Sequence, residues 1–175
     1  MSGLFDDFRS EFNKPNNTLV QLILVNVVIF LVLLVTKVSL TMAQNSGYGF
    51  IMSQLLIPGD INSFLHKPWT LFTYFFTHEE IFHILYNMLF LYWFGRLIDE
   101  YLGNRRLMGL YIMGGVAGGL LYLAMYNLVP YFQGQADTAR MLGASAAAFS
   151  VAVGAATLLP NYTFHLLFFG PVRIK

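Results

Sequence analysis

Two short patterns in this 175-residue sequence place reactive side chains at spacings that could support chemistry. His83 and Asn87 stand four residues apart, so on a helix they occupy one face, one turn from each other. Ser145 follows Gly143 and Ala144 at the head of a run of small residues, GASAAAFSVAVGAA. A serine hydroxyl becomes a nucleophile once a base takes its proton. The sequence has no cysteine, which excludes disulfides, thiolate metal sites and thiol nucleophiles, so any chemistry rests on Ser, His, Asn, Asp or Glu. No HExxH motif is present and no carboxylate falls in a helix core, so a metal site has little support. Plainer readings of the same residues remain open: a packing serine in a small-residue stripe, and a His83–Asn87 clamp between helices.

The elements that must hold these residues are membrane helices. Hydrophobic residues make up 57% of the chain and charged residues only 11%, less than half of the roughly 25% usual in soluble domains. The formal charge of +1 supplies no basic field for nucleic acid, which drops out as a partner. Four windows lack charge, at 15–36, 81–95, 107–136 and 141–172. They predict four helices over about 18–38, 79–96, 107–128 and 142–160. The first is too long for a signal-peptide core and reads as a retained anchor. The 15-residue window spans only ~22 Å as a helix and needs thinned lipid or snorkelling ends. Gly114/Gly118 and Gly115/Gly119 form two overlapping GxxxG patterns, read as helix packing.

Residues 1–17 read as an amphipathic segment on the membrane surface, with Leu4, Phe5, Phe8 and Phe12 at helical spacing, an ordinary soluble tail being the alternative. Alternating loops carry seven Lys and Arg on one side (Arg9, Lys14, Arg96, Arg105, Arg106, Arg173, Lys175) and three on the other (Lys37, Lys67, Arg140). This predicts a multi-pass protein of the cell membrane with a cytoplasmic N-terminus. The loop at 39–78 is then outside, and with Phe50, Ile51, Leu55, Trp69, Phe72 and Phe75 it is too apolar to lie in water, so a structured element partly sunk in the outer leaflet is expected. His83, Asn87 and Ser145 fall at similar depth below the outer surface, where buried polar groups point to function. His66 and His165 flank helices and are assigned no role.

His78, then His83-Ile84-Leu85-Tyr86-Asn87, then Glu100 to Arg106 running into Tyr111 and Gly115, then Gly143-Ala144-Ser145, together resemble the rhomboid family of intramembrane serine proteases over about residues 18–170. The resemblance implies an all-α membrane bundle of six helices, about four of them in 18–175, with a membrane-embedded outer loop. It implies that Ser145 is the nucleophile and that His83, Asn87 and the Ser145 backbone N–H stabilise the oxyanion. Gly143 would allow close approach of the chain and substrate, Phe149 would pack against the catalytic base, and His78 would form hydrogen bonds in a water-filled cavity. Substrates would be transmembrane helices of membrane proteins, cleaved through an acyl-enzyme with no metal or organic cofactor.

The sequence departs from the family pattern in three places. Ala146 follows the serine where glycine is commoner, and Thr70 follows Trp69 where arginine is common, which bears on the loop's surface anchoring. The family's general-base histidine lies on a sixth helix and has no counterpart in these 175 residues. His165 follows Ser145 by 20 residues, ~30 Å along a continuous helix, and does not replace it. The 175 residues are therefore expected to be the N-terminal part of a longer protease and to lack a working dyad by themselves. Two rivals stand beside that reading: a rhomboid-like protein that binds transmembrane segments without cutting them, and a channel or transporter subunit. The clustering of the polar residues in the outer half disfavours the channel.

Overall fold

The computed structural model describes residues 17–160 together with the backbone of residues 163–166 and 170–173. The amphipathic segment expected over residues 1–17 lies outside the described residues except for Asn17.

Helix α1, Thr18–Met42, is built from an apolar run with neither Gly nor Pro, and its first N–H is capped from another helix, Thr18 N–H donating to Asn104 Oδ1 at 2.9 Å. It runs past the predicted end at 38 because Lys37 and Ser39 continue the helix until Gln44 adopts φ 53°. The outer loop follows as α2, Gly47–Leu55, strand β1, Ile57–Pro58, α3, Ile61–Leu65, α4, Thr70–Thr73, and a 3-10 turn, Tyr74–Phe76. Then come α5, Ile81–Leu102, α6, Asn104–Leu128, and the short α7, Pro130–Gln133. Strand β2, Arg140–Met141, precedes α8, Ser145–Leu158, and the pair β3, Thr163–Leu166, and β4, Gly170–Arg173, ends the described chain.

Among the described residues three helices, α1, α5 and α6, are long and apolar enough to cross a membrane, and with α8 they form an all-α membrane bundle. The predicted bounds change at two places. The charged stretch from Arg96 to Arg106 is helical rather than a loop, and the connection shrinks to Gly103, which at φ 81° turns the chain directly from α5 into α6. The fourth helix begins at Ser145, not at about 142, because Gly143 at φ 100° and Ala144 are outside the helix. At 14 residues α8 is ~21 Å long, short of a ~30 Å hydrocarbon core.

The sequence pattern also missed a two-residue antiparallel pairing. Ile57 pairs with Met141 and Pro58 with Arg140, tying the outer loop to the segment just before Ser145. Leu142 packs with Leu33 of α1 and with Met52 and Leu56 of the outer loop. The loop is stitched internally, with Trp69 Nε1 donating to Gln54 O at 2.8 Å and Thr73 Oγ1 to Leu55 O at 2.8 Å. Thr70, at the position where arginine is common, is fully buried and donates to Lys67 O at 2.7 Å.

Candidate active site

Ser145 is the first residue of α8 and is exposed. Its hydroxyl has no hydrogen-bond partner among the described residues. The first N–H groups of a helix have no partner within it, so the backbone here offers donors beside the hydroxyl. The two residues before it are fixed from outside: Gly143 N–H donates to Tyr74 O at 2.9 Å, and Ala144 N–H donates to His78 Nε2 at 3.1 Å. Buried non-helical backbone must be paired within the protein, and these two N–H groups are.

His78 is fully buried, just before α5. Because a backbone N–H can only donate, Nε2 must carry the lone pair, so the ring is the neutral Nδ1–H tautomer. Asn87 Nδ2 donates to the same Nε2 at 3.1 Å. Nδ1 points toward the Phe76 carbonyl but closes no hydrogen bond. Burial, and secondarily the neighbouring His83, push the His78 pKa down to about 4. With its lone pair already taken by two donors, His78 is a structural hub and not a base for Ser145.

His83 and Asn87 project from the same side of α5, with His83 partly exposed and Asn87 buried. The His83 ring lies edge-on to His78, with centroids 5.1 Å apart. It also covers the Gly143 α-carbon: a β-carbon at 143 would lie 2.5 Å from His83 Cε1 and 2.6 Å from Nε2. Glycine is thus required twice at 143, by its left-handed φ and by the imidazole packed on it. Phe149, one turn beyond Ser145, is 62% exposed. His165 falls in β3, beyond the far end of α8. Ser150 turns the other way and donates to Leu110 O on α6 at 2.6 Å.

The structure therefore brings His78, His83, Asn87, Gly143 and Ser145 into one neighbourhood at the head of α8, with Phe149 one turn away on the exposed face. The family model for the rhomboid domain matches residues 65–174. The chain belongs to the rhomboid family. It is 35% identical over 131 residues to RHOMBOID-like protein 12, mitochondrial, of Arabidopsis thaliana, a match covering 70% of this chain and 39% of that protein. To RHOMBOID-like protein 1 of the same plant it is 39% identical over 56 residues, 32% of this chain and 14% of the relative. The chain thus spans well under half the length of these relatives. No solved structure matches it. Membership agrees with the all-α bundle and with a protein whose environment is the lipid bilayer.

Two buried polar residues behind the rhomboid site receive no role from the sequence, although Tyr111 is among those that carry the resemblance. Asn26 is fully buried in α1, and Tyr111 is fully buried in α6. Asn26 is the single polar residue between Leu22 and Val35, a signal the sequence did carry.

Proposed function

We propose that this rhomboid chain is the nucleophile-bearing part of an intramembrane serine endopeptidase that cleaves transmembrane helices of membrane proteins. The observation that carries the reading is Ser145, exposed at the first position of α8 on a turn whose two preceding N–H groups are held by Tyr74 and His78. A nucleophile so placed projects from rigid backbone beside His83 and Asn87. Ser145 Oγ attacks the scissile carbonyl and forms an acyl-enzyme, which water from an outward-facing cavity hydrolyses. The tetrahedral oxyanion receives hydrogen bonds from His83, from the Asn87 N–H not engaged by His78, and from the Ser145 N–H, each donor worth ~3 kcal/mol in the transition state. Gly143 keeps the turn and His83 in register. Phe149 packs against the general base, a histidine outside these 175 residues. No metal or organic cofactor takes part. The protein sits in the cell membrane with its N-terminus cytoplasmic, an orientation supported by the seven-to-three Lys and Arg count.

A second reading, a rhomboid-like protein that binds transmembrane segments without cutting them, is favoured by the Ser145 hydroxyl accepting or donating no hydrogen bond, to His83 or any other side chain, among the described residues. One experiment separates the two. The full-length protein is reconstituted with a single-span substrate, and cleavage and fluorophosphonate labelling are measured for the native protein and for Ser145→Ala. Loss of both in Ser145→Ala, with thermal unfolding unchanged, is the expected result. Capture of the substrate with neither cleavage nor labelling in the native protein supports the second reading. Labelling that persists in Ser145→Ala moves the nucleophile to another serine.

A further inference from the structure

Asn26 is buried without being satisfied. Its Nδ2 donates to Leu22 O in its own helix at 2.8 Å and to the Tyr111 hydroxyl on α6 at 2.9 Å, whereas its Oδ1 has no partner. An unpaired amide oxygen in an apolar bundle is unfavourable, and leucine would fill the same space without that cost. Stability alone does not account for an asparagine here.

Where the hydrogen bonds lead does account for it. The Tyr111 hydroxyl, its lone pair occupied by Asn26, turns its own proton to the Phe75 carbonyl at 3.2 Å. Phe75 lies within the Tyr74–His78 segment, whose Tyr74 carbonyl accepts from Gly143 N–H and whose His78 ring accepts from Ala144 N–H. The two amides before Ser145 are therefore held by a segment that Tyr111 holds in turn. The Tyr111 ring also packs on Phe75 and Phe76, with centroids 5.8 Å from each. A phenylalanine at 111 keeps those ring contacts and removes the hydroxyl alone.

We infer that Asn26 and Tyr111 are positioning residues for the nucleophile: through the Phe75 carbonyl they fix the Tyr74–His78 segment, and through that segment the backbone from which Ser145 projects. The inference rests on the reading of Ser145 as the nucleophile. Neither side chain touches the reacting groups, and the effect passes from α1 to α6 to the outer loop to the turn before α8.

The test uses the full-length protein with Asn26→Leu, Tyr111→Phe and the double variant, reading thermal midpoint, kcat, KM and the backbone amide resonances of Gly143 and Ala144. A misplaced nucleophile lowers kcat about tenfold or more with KM unchanged. Asn26→Leu keeps or raises the thermal midpoint, and the double variant loses no more turnover than Tyr111→Phe, because Asn26 acts through Tyr111. The Ala144 amide resonance shifts in all three variants. A lowered thermal midpoint with kcat and the Ala144 resonance unmoved overturns the inference and leaves the pair as ordinary packing. Cleavage that survives Ser145→Ala overturns the nucleophile reading instead, and the Ala144 resonance still decides whether the pair sets the turn.

Discussion

Helix α6 makes two contacts through its paired glycines, and they are built from opposite materials. On one side Gly114 and Gly118 face Ser150 and Ala146 of α8, so close that any β-carbon would overlap them. This contact is built of small residues and held by the Ser150 hydrogen bond to Leu110 O. On the other side Gly115 and Gly119 receive the outer loop: β-carbons there would lie 2.6 Å from Phe75 Cδ1 and 2.7 Å from Ile57 Cδ1. That contact is aromatic and hydrogen-bonded, with Tyr74 Oη donating to Gly115 O at 2.6 Å. Small residues let backbones approach, but they do not orient anything. The small-residue contact sets how near α8 lies, and the aromatic contact sets which way the turn ahead of Ser145 points. The two meet at Gly143, whose N–H binds the loop while its chain leads into α8.

Breaking that junction has the largest expected effect. Gly143→Ala forces a β-carbon into His83 and a side chain into φ 100°. Turnover falls about a hundredfold or more, read by substrate cleavage, and stability falls by about 1–3 kcal/mol. Full cleavage by this variant would mean that the two contacts are independent.

Acid sharpens the contrast next, because His78 belongs to the loop contact alone. Its folded pKa of about 4 lies below the unfolded value of 6.5. Between those values the unfolded chain binds a proton that the folded ring refuses, so stability is full above pH 6.5 and declines as pH falls toward 4. The loss approaches about 3 kcal/mol. Thermal unfolding in detergent across pH 4–8 measures it. His78→Gln, whose amide oxygen can still accept from Ala144, flattens the profile.

The smallest effect belongs to the small-residue contact. Ser150→Ala removes one hydrogen bond to a carbonyl already inside a helix and costs about 1 kcal/mol, with cleavage unchanged. A loss of cleavage in Ser150→Ala with the fold intact would give that contact an orienting role too.

Much of this arrangement was legible beforehand, for reasons that differ by residue. His83 and Asn87 announced themselves because spacing of four on a helix is enough to place them together. Ser145 and Gly143 are marked by motif, and the chain that approaches Gly143 closely is the His83 side chain. His78 is expected to form hydrogen bonds, and the partners it has are the Ala144 N–H of the turn and Asn87. No local pattern reports that a loop imidazole will meet a backbone N–H 66 residues later. The helix boundaries at Leu102 and Ser145 were missed because charge was taken to end helices, whereas left-handed glycines do.

The sequence by itself determined that the chain lives in lipid, where the long spans run, and which side chains are chemically eligible, since hydropathy, charge placement and helical period are local properties of consecutive residues. Only the tertiary structure decided how those side chains are aimed. The strand pair that ties Ile57 to Met141, the hold of His78 on Ala144, and the path from Asn26 through Tyr111 to Phe75 join residues 36 to 85 positions apart. Each contact exists because the packing of α1, α6, the outer loop and the turn before α8 against one another brings together donors and acceptors that lie far apart in the chain.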